Sequence, residues 1–169
     1  MIATGTSARI LTFGVLVASL AALGFAFIAE YGFDARPCIL CLYGRLPYVV
    51  TAVIAAAALL LLTRDSRCHA AIWLLCASVF LVGMALSAYH VGVQQHWWHS
   101  VAGCTADPLA PLTVDDLRAT MSGNPPLAAC DEVSIRVLGL SLAAWNGLYA
   151  LALAAACIIG ASAHGRSKR

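Results

Sequence analysis

Residues 10–29 read ILTFGVLVASLAALGFAFIA, twenty residues without Lys, Arg, Asp or Glu, bounded by Arg9 and Glu30. A helix needs about 20 apolar residues to cross the roughly 30 Å of a bilayer's hydrocarbon. The stretch shows no strand alternation and is too long for a barrel strand. A cleaved leader is the competing reading, with Arg9 as its basic start. The run is longer than a leader's core, however, and no convincing small-x-small cleavage site precedes Glu30. It reads as a retained membrane helix.

Three further stretches repeat the pattern. One lies between Arg45 and Arg64, one follows Arg67 and stays apolar through Tyr89, and one starts at Val137 and ends before Arg166. The expected spans are 10–29, 46–63, 69–89 and 137–163, with loops over 30–45 and 90–136 on one side. Composition agrees: 169 residues, 62% hydrophobic and 11% charged, with a mean hydropathy of +0.86. A soluble domain is about one-quarter charged. Soluble enzymes, disordered chains and secreted mini-proteins are excluded on that ground, and the net charge of +2, without a dense basic stripe, gives nucleic-acid binding no support.

The charges at the span ends set an orientation. Arg9, Arg64, Arg67, Arg166, Lys168 and Arg169 share one side with Asp65 alone. Arg36, Arg45, Arg118 and Arg136 share the other with seven acidic residues, from Glu30 to Glu132. Basic residues beside short loops stay inside, so both termini are expected in the cytoplasm. The architecture is all-α: an integral membrane four-helix bundle with a long outward-facing loop between helices 3 and 4. Short connections favour antiparallel neighbours, and recurrent Ala, Gly and Ser permit close helix contact. Within the long loop, Thr113 and Asp116 resemble a capping box, flanked by Leu112 and Leu117, for a short helix over about 114–121. The indoles of Gln94-Gln95-His96-Trp97-Trp98-His99 suit a membrane interface.

Four of the seven cysteines, Cys38, Cys41, Cys104 and Cys130, fall on the oxidising side or at its boundary. Four cysteines allow three pairings. Cys68, Cys76 and Cys157 read as unpaired thiols. Cys38-Ile39-Leu40-Cys41 is a C-x-x-C element after Pro37, and a helix toward Tyr48 puts both sulfurs near its first turn, where free N–H groups favour a thiolate. Arg45, four residues after Cys41, adds positive charge. A second cysteine pair in a turn-rich loop invites exchange between pairs. Such a relay needs an electron sink. No nucleotide fold is legible and C-x-x-C lacks the following His of covalent haem; a quinone dissolved in the bilayer would reach Cys41 and Arg45.

With these residues, the chain resembles the DsbB family of bacterial disulfide-forming membrane oxidoreductases. The resemblance rests on Pro37-Cys38-Ile39-Leu40-Cys41-Leu42-Tyr43 with Arg45 and Tyr48, and on Tyr89-His90-Val91-Gly92-Val93-Gln94. It continues through Cys104-Thr105, Cys130-Asp131-Glu132-Val133 and Leu138 to Asn146. It implies an enzyme of the bacterial inner membrane, with its redox loops facing the periplasm. That enzyme reoxidises a soluble periplasmic thioredoxin-fold oxidase of the DsbA kind and passes the electrons to ubiquinone or menaquinone in the membrane pool. Cys38–Cys41 would be the quinone-coupled pair and Cys104–Cys130 the pair that meets the partner, through a mixed disulfide at Cys104. Cys130 would engage Cys41 in exchange between the loops. The expected catalytic residues are Cys38, Cys41, Cys104, Cys130 and Arg45. Cys41, Arg45, Tyr48, His90 and Gln94 are expected at the quinone, and no metal or nucleotide is expected.

Three positions depart from the family pattern. Gly44 stands where a polar residue is common, Ser134-Ile135 replaces a frequent Pro-Trp, and Val101-Ala102-Gly103 precedes Cys104. The alternatives are a thiol oxidoreductase of the vitamin K epoxide reductase type, a non-catalytic adaptor stapled by two disulfides, and a metal carrier using four thiolates.

Overall fold

The computed structural model describes residues 2–33, 35–61, 66–101, 104, 114, 118, 121–122, 128–133 and 135–166. Its helices are α1 (Ile2–Gly32), α2 (Ile39–Tyr43), α3 (Leu46–Leu61), α4 (Ser66–Gln94) and α5 (Leu142–Arg166). Four stretches are long and apolar enough to cross a membrane: Ala8–Gly32, Ile39–Leu61, Cys68–Gln94 and Leu142–His164. The second joins α2 to α3 across a short break. Pro47 has no N–H to offer Tyr43, so the backbone tightens there, with Arg45 N–H bonding Leu42 O at 3.1 Å and Tyr48 N–H bonding Arg45 O at 3.1 Å.

The bundle is sorted inside out relative to a soluble protein. Ala52, Ala55, Ala58, Ala77, Ala150 and Ala154 are buried between helices, while Phe13, Leu20, Leu60, Leu74 and Ile159 face outward. Small residues let backbones approach, and lipid tails cover the large side chains at no cost. The most extensive helix packing joins α4 to α5, followed by α1 against α3. Polar clasps cross these seams. Ser19 and Thr51 hydroxyls meet at 3.0 Å between α1 and α3, and Trp73 Nε1 donates to Thr12 Oγ1 at 3.1 Å between α4 and α1. Tyr48 Oη donates to Asn146 Oδ1 at 2.8 Å, and Asn146 Nδ2 to Ser87 Oγ at 2.7 Å, joining α3, α5 and α4. Each polar group in these clasps thereby finds a partner. Cys76 and Cys157 lie unbonded in this core, and Cys68 is exposed.

Two helix ends differ from the sequence expectation. Residues 137–141 were expected inside the fourth span, yet Arg136–Val137 and Leu140–Ser141 pair as a two-stranded antiparallel hairpin and α5 starts at Leu142. Leu138 and Gly139, with φ of 52° and 82°, make the left-handed turn that such a hairpin needs. The third span runs past Tyr89 to Gln94. It ends in a Schellman motif: His96, at φ 58°, donates its N–H to Val93 O at 3.0 Å, and Trp97 donates to Gly92 O at 3.0 Å. In the long loop, Val114, Arg118 and Met121 are helical, and Ser122 N–H bonds Arg118 O at 2.9 Å. The Thr113/Asp116 cap lies outside the described residues.

Trp98 fastens the chain leaving α4. Its Nε1 donates to Tyr89 O at 3.2 Å and its ring stacks on Tyr89, 5.9 Å between centroids. The indole lies directly on Gly92, where a Cβ would collide with the ring. Gly92→Ala should therefore destabilise the protein by about 1–3 kcal/mol, read as a lower Tm in detergent. In a Trp98→Ala background the same change should cost little, because the obstacle is gone.

Candidate active site at the rim of the bundle

Four sulfurs gather where α2 meets the end of α4. Pro37 leads into Cys38, whose extended backbone (φ −88°, ψ 168°) makes it the N-cap of α2. As N-cap, Cys38 Sγ accepts from Cys41 N–H at 3.3 Å. The three-residue spacing then brings Cys41 Sγ to 2.8 Å from Cys38 Sγ, within hydrogen-bond reach. From α4, His90 Nε2 lies 3.6 Å from Cys38 Sγ and 3.2 Å from the carbonyl oxygen of Cys130. A carbonyl only accepts, so His90 carries its proton on Nε2 and offers it toward both the oxygen and the sulfur.

Cys104 and Cys130 are joined by a disulfide with Cα atoms 5.3 Å apart. Cys130 N–H bonds Cys104 O at 2.6 Å, and Ala128 N–H bonds Pro37 O at 3.3 Å, which ties the second loop to the first. Ser100 Oγ lies 3.1 Å from Cys104 Sγ. Cys38, Leu40, Val93 and Cys130 form one buried cluster with Cys104 at its edge; Cys38 is 3% exposed and Cys130 0%. The sequence reading had Cys130 engaging Cys41. In the structure Cys130 shares its buried cluster with Cys38, the N-cap residue, while Cys41, one helical turn on, is exposed toward a cavity.

Cys38 holds its proton weakly. The S–H of Cys41 stabilises the thiolate most, burial opposes it, and His90 contributes a further hydrogen bond and favourable charge; the balance lowers the Cys38 pKa to about 4. Cys38 should thus stay ionised from neutral pH down to about 4 and lose its charge below. The ultraviolet thiolate absorbance of the reduced protein, minus that of reduced Cys38→Ser, should fall by half near that pH. A midpoint in the range of an ordinary thiol, about 8.5, would contradict this geometry.

The cavity encloses about 760 Å³ between α1, the α2–α3 span, α4 and α5. Cys41, Arg45, Tyr48, His90 and Gln94, all expected at the quinone, line it together, as do Cys38 and apolar groups such as Phe25 and Leu86. Its volume and largely apolar wall suit a hydrophobic ring with a tail in lipid. Gln94 Oε1 is buried there with no hydrogen-bond partner among the described residues, a polar atom ready for a ligand hydroxyl. Tyr48, by contrast, has its hydroxyl proton committed to Asn146. What it brings to the cavity is its ring.

Glu30 was not foreseen here. Its carboxylate pairs with Arg45 Nη1 at 2.7 Å, at the end of α1. Arg45 also lies over the Phe27 ring, 5.4 Å from the centroid. The signal was available: an acid and a base closing adjacent spans on the same side of the membrane. Trp145 donates its indole N–H to Val137 O at 2.9 Å in the hairpin.

A membrane bundle with two cysteine pairs in contact, one of them opening on a lipid-side cavity, is a membrane-embedded thiol–disulfide oxidoreductase. The model of the family described as "Disulfide bond formation protein DsbB" matches residues 8–160. The chain therefore belongs to the DsbB family, multi-pass inner-membrane enzymes that couple two cysteine pairs to a quinone. It is 30% identical over 147 residues to an uncharacterized protein of Rickettsia prowazekii (strain Madrid E), covering 86% of this chain and 83% of the relative. No solved structure matches the chain.

Proposed function

We propose that the protein draws electrons from a reduced, soluble, periplasmic thioredoxin-fold oxidase of the DsbA kind, and delivers them through Cys104–Cys130 and Cys38–Cys41 to ubiquinone or menaquinone in the membrane. One observation carries this reading: Cys38 is packed with Cys130 on one side while Cys41 opens on the cavity on the other.

Each exchange replaces one S–S bond with another. A thiolate of the partner attacks Cys104, and Cys130 leaves as a thiolate. Cys130 attacks Cys38 of the oxidised C-x-x-C pair, and Cys41 leaves toward Arg45. The partner's second thiol resolves the bond at Cys104 and carries its own new disulfide away. Cys104 then attacks Cys130, restoring their bridge and releasing Cys38 as a thiolate that Cys41 and His90 stabilise.

Cys41, Arg45, His90 and Gln94 would hold the quinone, with Tyr48 as a wall; when bound, it supplies the two-electron acceptor that returns the dithiol to a disulfide. Arg45 favours negative charge near Cys41, and Glu30 keeps the guanidinium aimed. His90 and Gln94 present polar atoms to the same space. The exposed apolar rim lets a lipid-soluble molecule enter.

The test is anaerobic incubation of the purified protein with a reduced thioredoxin-fold oxidase and each quinone in turn, following thiol loss and quinol formation together. Two thiols should be lost per quinol formed. Arg45→Met should slow quinol formation by about 10²–10³-fold, the usual cost of removing one preorganised charge-stabilising group. Inert disulfides would leave the adaptor reading in its place.

A further inference from the structure

Cys38, Cys41 and His90 form more than an electron relay. Their ligating atoms, two sulfurs and one imidazole nitrogen, all lie within 4.8 Å of one another. Around a tetrahedral zinc ion, with Zn–S of about 2.3 Å and Zn–N of about 2.0–2.1 Å, neighbouring ligand atoms sit roughly 3.3–3.8 Å apart. The Cys38 Sγ to His90 Nε2 separation of 3.6 Å already falls in that range. The two sulfurs, at 2.8 Å, must open by about 1 Å, and the exposed side chain of Cys41 has room to turn. The positive charge of Arg45 would repel a cation, but Glu30 neutralises it at 2.7 Å.

We propose that the reduced Cys38/Cys41 pair together with His90 is a binding site for one thiophilic divalent cation of the zinc class, with the fourth position open to the cavity. The donor set is the one such ions select, two thiolates and an imidazole. No oxidation is involved. The ion takes both sulfurs as thiolates and releases the protons they still carry, while the His90 proton moves to Nδ1 and Nε2 turns from the Cys130 carbonyl to the metal. The bound form cannot close the Cys38–Cys41 disulfide, since both sulfurs are held by the ion. Zinc would thus arrest the enzyme in its dithiol state. That block rests on the function proposed above; the site itself does not.

The experiment uses the full chain in detergent with Cys104→Ser and Cys130→Ser, which removes the other outward thiols. The protein is reduced with a phosphine, freed of reductant under nitrogen, and titrated with Co²⁺. The expected result is one Co²⁺ per chain, with a thiolate-to-cobalt charge-transfer band and the visible bands of a tetrahedral ion, both erased by equimolar Zn²⁺. Adding Cys38→Ser or Cys41→Ser should abolish the charge-transfer band. His90→Ala should weaken Zn²⁺ at least about tenfold, the lower bound for losing even an outer-sphere partner. In the chain with all cysteines present, oxidising the C-x-x-C pair should also erase the bands, which guards against a serine variant that merely misfolds. Absent bands in the reduced protein, or bands that survive Cys38→Ser or oxidation, overturn the site. Turnover with quinone that is unimpaired at saturating Zn²⁺, or not restored by a chelator after inhibition, overturns the block. A protein that binds Co²⁺ in this way yet never reduces quinone refutes the proposed function and leaves the metal site standing.

Discussion

Cys41→Ser is expected to lower quinol formation at least about a thousandfold, the scale of losing a nucleophile that acts as part of a unit. Two electrons can leave the first pair only if Cys38 and Cys41 close a disulfide, and serine cannot take part. The variant should also accumulate a diagnostic bond. Cys38, ionised at neutral pH and packed with Cys130, can attack the Cys104–Cys130 bridge, with Cys104 leaving as a thiol. With Cys41 gone, only the freed Cys104 can reopen the Cys38–Cys130 link, so alkylating Cys104 should make that link persist. Cleavage between the loops followed by non-reducing electrophoresis would show the fragments still joined. Rapid quinol formation by this variant would reject the assignment of Cys41, and a Cys104–Cys38 link in place of Cys130–Cys38 would reject the order of exchange.

Cys104→Ser should be equally damaging toward the soluble oxidase and far less so toward a small dithiol. A folded partner is too large to reach Cys38, buried behind the second loop with 3% of its surface exposed, and must enter through the Cys104–Cys130 bridge. Dithiothreitol can approach the oxidised first pair from the cavity side, where Cys41 is exposed. The variant should therefore lose turnover with the protein substrate, by at least about a thousandfold, yet still form quinol with dithiothreitol. Loss of both activities would mean that the second pair supports the fold of the first. Retention of both would mean that the partner bypasses it.

How much of this was readable from residues alone depended on range. The four spans were legible because each is a long uncharged run, and a bilayer imposes that length whatever the packing. Tyr48, His90 and Gln94 were reached through the family resemblance, while the C-x-x-C element and Arg45, one turn from Cys41, were legible through spacing. The choice of Cys38 over Cys41 as the neighbour of Cys130 was not, since it turns on the extended N-cap geometry at Cys38 and on a loop 92 residues away in the chain. Tyr48 shows the same limit. The resemblance put it at the quinone, but the claim of Asn146, 98 residues on, upon its hydroxyl is a tertiary fact. The hairpin at 136–141 was hidden by its apolar sequence, which only the left-handed turn at Leu138 and Gly139 distinguishes from helix.

The ion pair between Glu30 and Arg45 has a consequence for biogenesis. Both residues belong to the first two spans, as do Ser19 and Thr51. A ribosome therefore delivers Ser19, the acid, the base and Thr51, in that order, before any of α4 is made. The translocation machinery meets an arginine whose counter-charge has already emerged, so the leading hairpin can partition into lipid as an electrically neutral unit and await the trailing half.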